Sequence, residues 1–511
     1  MQEIKIGKDV LESLTTSMYE DHRSIYREYI QNACDQIDKA IKENILIGIS
    51  EGEIYINIDT QNRYIEIEDN ATGIEKNKVY EILGNVALSN KDRENERGFR
   101  GIGRLAGLGY CEELVFETSF IGEDTKSIMK WNAKKFKQII NDRTYKEEAS
   151  RVIQSVIELK QEKEESNKHY FKVILKQVTN EELLNIEKIR EYISMVAPLP
   201  FRNHFIFKSL IKEELKKDNL KISEYNIFVN SEQIFKPYKS DIKDNNNNIV
   251  NKIVDIDFIK LYDKNNELLC WGWYGISEFN GAIKANNIFR KIRLRKGNIQ
   301  IGDENTLNKL HKENRGNSYF IGEIYAFHKD LIPNARRDYF SENEKYKKFE
   351  QKIKEVFINK LHKLYYKASD IRSAVKKIES YNKLQEEIKE KKEKGLFENK
   401  KELQLTEEKL QKTKLEAKKA EEKINKIKQD FKEDKNISKI VETISKPQTK
   451  TIIDEEEINK IKPKFRTQTE YPKFDRKTQK TISKIYEVID NVLTKELAEN
   501  LKQKIKEKLN S

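Results

Sequence analysis

The first 180 residues alternate between a helical and a strand-like spacing of hydrophobic positions. Ile25, Tyr29, Ala33, Ile37 and Ile41 follow one another every four residues and form an apolar stripe along one helix. Short segments that alternate apolar and polar residues, bounded by turn residues, predict strands. The pattern predicts a mixed α/β unit with helices over residues 9–20, 22–43 and 76–86 and strands over residues 54–58, 64–68, 113–119, 127–131 and 170–177.

Residues 181–345 predict a second, α+β domain. Residues 225–230 and 233–235 have the pattern of a β-hairpin, with its turn at Asn230-Ser231-Glu232. Further strands are predicted over residues 268–274, 292–296 and 319–326.

The composition changes after residue 345, and a helical region of 346–435 is predicted. Hydrophobic residues recur every seven positions at Leu403, Leu410, Ala417, Ile424 and Phe431. Gly395 interrupts the charged helices, so we expect an antiparallel coiled-coil hairpin of residues 371–393 and 398–434; a continuous rod is the alternative. Residues 436–474 contain three prolines and predict a linker. Residues 475–511 predict an amphipathic helical module for dimerisation or docking.

Charge is distributed unevenly along the 511 residues. The chain has 98 Lys and Arg against 86 Asp and Glu, a net charge of +12. Residues 371–511 alone hold 37 Lys and Arg against 27 Asp and Glu. A basic tail fits a nucleic-acid-binding surface, but interspersed Lys and Glu are also the normal surface of long helices, and we favour that interpretation.

The cysteine pattern and the hydropathy indicate the cellular compartment in which we expect the protein. Cys34, Cys111 and Cys270 show no pairing or Cys-x-x-Cys spacing, which argues against disulfides and structural zinc. The chain has no apolar leader at its start and no run of 18 apolar residues. We therefore expect a soluble, cytoplasmic protein.

Candidate chemistry starts on the first long helix. Glu28, Asn32 and Asp35 stand at i, i+4 and i+7, beside the apolar stripe. Carboxylate and amide oxygens suit Mg²⁺, and a glutamate can take a proton from water. A solvated polar face is the alternative interpretation.

Two further segments favour a nucleotide site. Asp69 ends a predicted strand in the turn Asp-Asn-Ala-Thr-Gly, where a shielded carboxylate could accept a hydrogen bond from an adenine amino group. The glycine-rich run 98–103 lets backbone N–H groups approach phosphate. It is not a Walker A motif, because no Gly-Lys-Ser/Thr follows.

In this order and spacing, the three segments resemble the motifs of the GHKL ATPases, the class of Hsp90, MutL, gyrase B, histidine kinases and MORC proteins. Residues 27–35 resemble Glu-x-x-x-Asn-x-x-Asp, residues 69–73 resemble Asp-x-Gly-x-Gly, and residues 98–103 resemble the Gly-x-x-Gly-x-Gly lid motif. The resemblance implies a Bergerat-type α/β sandwich ATPase domain over residues 1–180 and an S5-like transducer domain over residues 181–345.

The resemblance also implies roles for single residues. Glu28 is the general base for the attacking water, Asn32 holds Mg²⁺, and Asp69 recognises adenine. Lys91 lies in a charged lid segment and is a candidate phosphate contact, although a surface salt bridge would explain it equally. The implied nucleotide-binding residues are Asn32, Asp35, Asp69, Gly73, Lys91, Gly98, Phe99, Arg100, Gly101, Ile102 and Gly103.

Two positions depart from the family pattern. Ala71 stands where the family has its first glycine, so the turn must avoid a positive φ there or tolerate strain. The strand near residues 169–175 contains no threonine, which puts the family's water-mediated adenine contact in doubt.

The segment 331–340 resembles the loop by which the transducer domain reaches the nucleotide. Family templates place its cation at Arg337, where it would meet the γ-phosphate and stabilise charge that develops during phosphoryl transfer. Arg336 is the competitor, since a shift of one position exchanges them. A surface turn with an Arg–Asp pair is the alternative.

These features predict a slow ATPase that works as a conformational clamp of the Hsp90 or MORC kind, dimerising or binding a partner through residues 371–511. One alternative is a DNA-binding clamp similar to MORC and MutL, contacting DNA through the basic tail or the strand Arg290–Lys296. Another is an ATP-dependent protein chaperone. A histidine kinase is rejected, because His22 lies within the ATPase helices. The composition, rich in Lys, Asn and Ile, suggests an AT-rich prokaryotic genome and, by analogy, an antiviral defence or DNA-processing system.

Overall fold

The computed structural model describes residues 6–15, 20–86, 103–445, 460–463, 471 and 473–510. The chain divides into two compact units, Met1–Tyr366 and Lys367–Ser511. Both domains that the sequence distinguishes before residue 345 fall within the first unit. The expected fold class, α+β followed by a helical region, is confirmed.

The first unit contains two sheets and the helices packed on them. Its helices are α1 (Asp9–Thr15), α2 (Ser24–Lys42), α3 (Val79–Gly84), α4 (Ala133–Asn141), α5 (Ala149–Val156), α6 (Ile186–Val196), α7 (Lys208–Lys217) and α8 (Glu344–Val356). Its strands are β1 (Glu53–Asp59), β2 (Tyr64–Asp69), β3 (Glu113–Ser119), β4 (Thr125–Asn132), β5 (Ile157–Lys163), β6 (Tyr170–Lys176), β7 (Asn226–Val229), β8 (Glu232–Gln233), β9 (Asp241–Lys243), β10 (Ile249–Tyr262), β11 (Leu268–Ser277), β12 (Lys291–Lys296), β13 (Ile299–Ile301) and β14 (Ile321–Ala326).

The first sheet has eight strands in the order β5-β4-β3-β6-β2-β1-β7-β8. Helix α2 buries its apolar stripe in the core of this sheet, where Ile25 and Ile37 have no exposed surface. Because the stripe fixes the rotation of the helix, the neighbouring polar residues take a defined direction. The predicted strands of residues 1–180 are present within a few residues, whereas β5, α4 and α5 were not predicted.

The hairpin of β7 and β8 belongs to the first sheet, which corrects the assignment to a second domain that begins at residue 181. β7 pairs in parallel with β1, with Glu53 opposite Asn226 and Ile56 opposite Val229. The Asn230 side chain reinforces this edge, accepting from the N–H of Ile58 at 2.9 Å and donating to its carbonyl at 2.9 Å. Local spacing predicted the hairpin, but its partner strand is remote in sequence and leaves no local signal.

The second sheet has six strands in the order β13-β12-β14-β11-β10-β9. The prediction missed β10, whose pairing with β11 is interrupted by register shifts that break a simple alternation. β12 and β13 form a tight hairpin at Gly297 and Asn298, both with positive φ.

A buried charge cluster joins this sheet to the end of α6. Glu323 forms ion pairs with Arg295 and with Lys236, at 2.7 Å for the lysine, and all three side chains are at most 1% exposed. Arg295 also donates to the carbonyls of Met195 and Val196, the last two residues of α6, and to the carbonyl of Ala197, the residue after the helix. The cluster therefore fixes the second sheet to the chain segment that leaves the first domain.

The second unit is helical. Its elements are α9 (His362–Lys394), which spans the division between the units, α10 (Lys400–Asp430), α11 (Lys435–Ser445), α12 (Arg476–Val492) and α13 (Lys495–Asn510). α11 occupies the start of the segment predicted as a linker, because Ile437, Ile440 and Val441 bury one apolar face.

α9 and α10 form the expected antiparallel hairpin. Ion pairs join Lys391 to Glu402 at 3.3 Å near the turn and Lys423 to Asp370 at 2.8 Å far from it. Gly395 takes a positive φ of 67° in the turn. Thr413 lines a gap of about 270 Å³ between the helices, at a position where the heptad lacks a large apolar side chain.

The C-terminal segment consists of two helices. The chain bends at Leu493, and Tyr486 of α12 donates to the carbonyl of Lys502 in α13 at 3.3 Å. Val488, Val492 and Leu497 remain more than half exposed. None of the helices that the structure describes is long and apolar enough to cross a membrane.

Candidate functional site

The polar residues Glu28, Asn32 and Asp35 lie on α2, beside its buried apolar stripe. Glu28 and Asp35 are 5% and 3% exposed, and Asn32 is half-buried. The burial of Glu28 and Asp35 rules out the solvated polar face that was the alternative interpretation. Buried carboxylates need partners or a ligand, because burial without either is costly.

The glycine that ends the lid motif lies against Glu28. A Cβ at Gly103 would come within 2.6 Å of Glu28 Oε2, so no other residue fits here without displacing the carboxylate. Gly103 starts a short 3₁₀-helix, Gly103–Gly109. The Tyr29 hydroxyl fastens this turn to α2, since it donates to the Arg104 carbonyl at 3.1 Å and accepts from the Gly107 N–H at 3.0 Å. Sequence reasoning treated Tyr29 only as part of the apolar stripe.

Asp69 ends β2 as a buried carboxylate, 3% exposed. Burial raises its pKa to about 8. Among the residues that the structure describes, its one hydrogen bond comes from the Ala71 N–H at 3.1 Å. Its oxygens therefore retain the capacity to accept a hydrogen bond from a ligand, which fits the role implied for adenine recognition.

The turn after Asp69 needs one glycine rather than two. Ala71 is fully buried and does not take a positive φ, so its methyl group is accommodated without backbone strain. Gly73 has a φ of 67°, and a Cβ there would lie 1.9 Å from the Ser119 carbonyl oxygen. The departure at Ala71 is therefore compatible with the family turn, whereas Gly73 is required.

A threonine does contact this turn, but from another strand than expected. Phe171 of β6 lies opposite Asp69, so no threonine stands there. Thr118 of β3 is paired with Phe171; its hydroxyl accepts from the Ile74 N–H at 2.9 Å and donates to the Tyr170 carbonyl at 3.0 Å. Thr118 fastens the turn to the sheet, and only the strand order could have identified it.

Arg337 reaches Glu28 across the two domains. Its Nε lies 3.1 Å from Glu28 Oε1, and its side chain is 12% exposed. The side chain of Arg336 is 62% exposed and lies 3.9 Å from the surface residue Glu20. Of the two candidates, the structure therefore brings Arg337, and not Arg336, to the α2 carboxylate.

The loop that presents Arg337 is held by close backbone contacts. Arg337 has a φ of 57°, a left-handed conformation that disfavours a side chain by about 1–2 kcal/mol. Its carbonyl accepts from the Gly302 N–H at 2.8 Å. A Cβ at Gly302 would lie 2.5 Å from the Asp338 carbonyl oxygen. Gly302 therefore supports the loop that presents Arg337.

A second arginine approaches the same carboxylate. Arg27 Nε lies 3.5 Å from Glu28 Oε1, and Arg27 donates to the Arg336 carbonyl at 3.4 Å. Glu28 Oε1 nevertheless has no hydrogen bond within the described part of the chain, because neither arginine has the required geometry. A buried carboxylate oxygen held by charge alone suits a group that accepts a proton from water.

The remaining implied residues of the lid lie outside the described residues. These are Lys91, Gly98, Phe99, Arg100, Gly101 and Ile102.

With this geometry established, comparison with known proteins identifies the domain. Residues 23–165 match the family of histidine kinase-, DNA gyrase B-, and HSP90-like ATPases. The chain carries an Hsp90-like GHKL ATPase domain. The matched range contains Glu28, Asn32, Asp69 and Gly103.

Curated relatives agree with the GHKL assignment. The chaperone protein HtpG of Wigglesworthia glossinidia brevipalpis is 28% identical over 144 residues, 25% of this chain and 23% of the relative. HtpG of Shewanella loihica is 23% identical over 180 residues, 32% of this chain and 28% of the relative. HtpG of Helicobacter pylori is 25% identical over 132 residues, 22% of this chain and 21% of the relative. The chain thus matches less than a third of the length of each.

We expect Asp69→Asn to abolish ATP binding and to stabilise the ligand-free protein. The native pKa of Asp69 is raised by burial from 3.8 to about 8, so between these values the native state keeps a proton that the unfolded chain has lost. The free energy of unfolding therefore falls as pH rises through this window. The variant lacks that dependence and should gain about 1–3 kcal/mol near pH 8. Urea denaturation at several pH values and calorimetry with ATP measure both effects.

Glu68→Gln is the matched control for Asp69→Asn. Glu68 is the neighbouring carboxylate of β2, and its side chain is 32% exposed and paired with Lys172. We expect this variant to bind ATP normally. Micromolar ATP affinity in Asp69→Asn would mean that adenine is recognised elsewhere.

Proposed function

We propose that the chain is a slow, Mg²⁺-dependent ATPase that acts as a conformational clamp. The N-terminal domain binds ATP, the second domain contributes Arg337 to the γ-phosphate, and hydrolysis resets the arrangement. The observation that supports the proposal is the distance of 3.1 Å between Arg337 Nε and Glu28 Oε1. The candidate centre therefore contains residues of both domains. A site assembled in this way adds a conformational step to turnover.

The chemistry follows from the charges around Glu28. The carboxylate is the counter-charge of Arg337 in this structure, and a γ-phosphate is a stronger counter-charge for a guanidinium. Transfer of Arg337 to the phosphate would leave Glu28 free to take a proton from the attacking water. Asn32 would supply an oxygen ligand to Mg²⁺, which when bound neutralises phosphate charge.

Residues 371–511 would pass this change to a second copy or to a partner protein. The apolar side chains that remain exposed on α12 and α13 support the idea of a contact there. Membership of a prokaryotic defence or DNA-processing system is proposed by analogy with stand-alone ATPases similar to MORC proteins.

We expect Glu28→Gln to bind ATP while hydrolysis falls by about 100-fold or more, because only the proton acceptor is removed. The amide preserves the volume next to Gly103. Phosphate release and calorimetry with ATP measure the two effects. Glu20→Gln, at a side chain that is 95% exposed, is the control and should hydrolyse ATP normally. Hydrolysis at the wild-type rate in Glu28→Gln would exclude Glu28 as the base.

We expect Arg337→Gly to lower kcat for ATP by about 100-fold, since one preorganised cation is lost. Glycine adopts the left-handed φ of this position at no cost, so the loop should keep its conformation. KM for ATP should change little. Arg336→Gly is the matched control. If the control loses activity and Arg337→Gly does not, Arg336 is the active cation.

Two other functions remain as alternatives. The HtpG relatives support an ATP-dependent chaperone. DNA binding is better supported for the basic residues 371–511 than for the strand Arg290–Lys296, because Arg293 and Arg295 of that strand are only 4% and 0% exposed. A DNA clamp should bind duplex with an affinity that falls by about 10³ or more between 50 and 200 mM salt. A chaperone should instead suppress client aggregation only with ATP.

A further inference from the structure

A second cavity lies beside the candidate catalytic centre. It has a volume of about 710 Å³, within the range of about 300–1,000 Å³ for small-molecule sites. The start of α2, the end of α6, the β12–β13 region and the Arg337 loop line it. It shares Arg27 and Arg337 with the candidate catalytic centre, but Asn32, Asp69 and Gly103 do not line it. It is therefore a separate space from the nucleotide site.

The inner wall of this cavity is cationic and its rim is acidic. The side chains of Arg293, Arg27 and Arg337 are 4%, 7% and 12% exposed. The acidic residues are nearer the solvent, with exposures of 95% for Glu20 and 38% for Glu304. An anionic group that enters the cavity therefore meets arginine at its inner end, in surroundings where charge interactions are strong.

Two buried side chains of the wall have unused hydrogen-bonding capacity. Arg293 donates to the Ile288 carbonyl at 2.7 Å, but its Nε has no partner among the described residues, and Glu304 lies 3.8 Å from its guanidinium. Gln300 is 3% exposed and donates to the Gly302 carbonyl at 3.0 Å, while its Oε1 has no donor within the described chain. Unpaired buried polar atoms are costly, and a ligand that accepts from Arg293 and donates to Gln300 would satisfy both.

We propose that this cavity is a second ligand site, which binds a phosphate group, and that the bound anion competes with the catalytic centre for Arg337. Guanidinium groups bind phosphate by charge-assisted hydrogen bonds. The phosphate group can belong to a hydroxyl-bearing small molecule, whose hydroxyl would serve Gln300, or it can be the phosphate released from ATP. The binding of phosphate in the cavity does not depend on the proposed function. The effect of the bound anion on hydrolysis does depend on it.

The supporting contacts connect the cavity to the reaction. Gly302 lines the cavity, and its N–H holds the Arg337 carbonyl. Arg27 also lines it and lies 3.5 Å from Glu28 Oε1. An anion that draws Arg337 towards the cavity removes it from the γ-phosphate. The ligand therefore lowers kcat without raising KM for ATP.

Calorimetry on the full chain with three probes tests the binding. We expect ribose 5-phosphate or inorganic phosphate to bind and unphosphorylated ribose not to bind. If the ligand carries a hydroxyl group, ribose 5-phosphate should bind more tightly than inorganic phosphate. Gln300→Leu should then remove this difference in affinity. Equal affinities, unchanged in Gln300→Leu, identify released phosphate. Absence of binding by both phosphate probes up to about 10 mM overturns the proposal.

Variants locate the site. Arg293→Gln should weaken binding of the phosphate probe by about tenfold or more. Ala285→Trp, at an exposed position of the wall, should block the cavity without disturbing the core, and it decides the question if Arg293→Gln does not fold. Arg315→Gln, 68% exposed and outside the cavity, is the charge control. Wild-type affinity in folded Arg293→Gln and in Ala285→Trp overturns the proposal.

A nucleotide-site variant separates this proposal from the proposed function. Asn32→Ala should lose ATP binding and keep the binding of the phosphate probe. If phosphate-probe binding is lost together with ATP binding, the probe occupies the nucleotide site and the second site does not exist. If the wild type binds the probe but does not hydrolyse ATP, the second site stands and the proposed function fails.

Discussion

The approach of the Arg337 guanidinium to the Glu28 carboxylate is the interaction on which the rest of the candidate centre depends. It joins the first long helix to a loop of the second domain, and both side chains are nearly buried. In such surroundings a lone carboxylate or a lone guanidinium would be costly, so each stabilises the other. Gly103 on one side and Gly302 on the other have no side chain because the backbone must pass this close.

The position of Arg337 depends in turn on the buried charge cluster of the second sheet. Burial opposes ionisation of Glu323, but Arg295 and Lys236 hold its pKa below the usual range. Arg295 then donates to carbonyls at the end of α6, so the two domains are fixed together by charge-assisted hydrogen bonds inside one compact unit. This fixed frame is what allows a strained left-handed residue to carry a functional side chain.

Several polar groups are buried with unused hydrogen-bonding capacity, which disfavours folding but suits ligand binding. Asp69 remains a buried carboxylate with a raised pKa, Glu28 Oε1 is held by charge without a hydrogen bond among the described residues, and Arg293 and Gln300 have unused capacity beside the second cavity. A protein that only needed to fold would replace such groups by apolar ones. Glu28 contacts Arg337 directly, and Arg293 and Gln300 line a cavity that Arg337 also lines, so an anion bound on either side would interact with the same residue.

The sequence by itself determined many of the local elements of the first domain and pointed to its candidate chemistry. The four-residue stripe fixed the rotation of α2 and so the direction of Glu28 and Asp35, because one helix face had to be buried. The turn at Asp69 and the positive φ of Gly73 follow from residue types within a few positions. The heptad positions 403–431 and Gly395 before them favoured the α9–α10 hairpin over a continuous rod, because the apolar face of α10 had to be buried against another helix.

Only the tertiary structure decided which distant segments meet. In the structure, the β7–β8 hairpin lies in the first sheet, and Thr118 of β3 rather than a β6 residue contacts the Asp69 turn. Arg337 rather than Arg336 lies beside Glu28. The tertiary structure also buried Arg293 and Arg295 of the strand Arg290–Lys296, which the sequence alone made a candidate DNA contact. Each of these depends on pairing between residues far apart in sequence, and such pairing leaves no periodic or spacing signal along the chain.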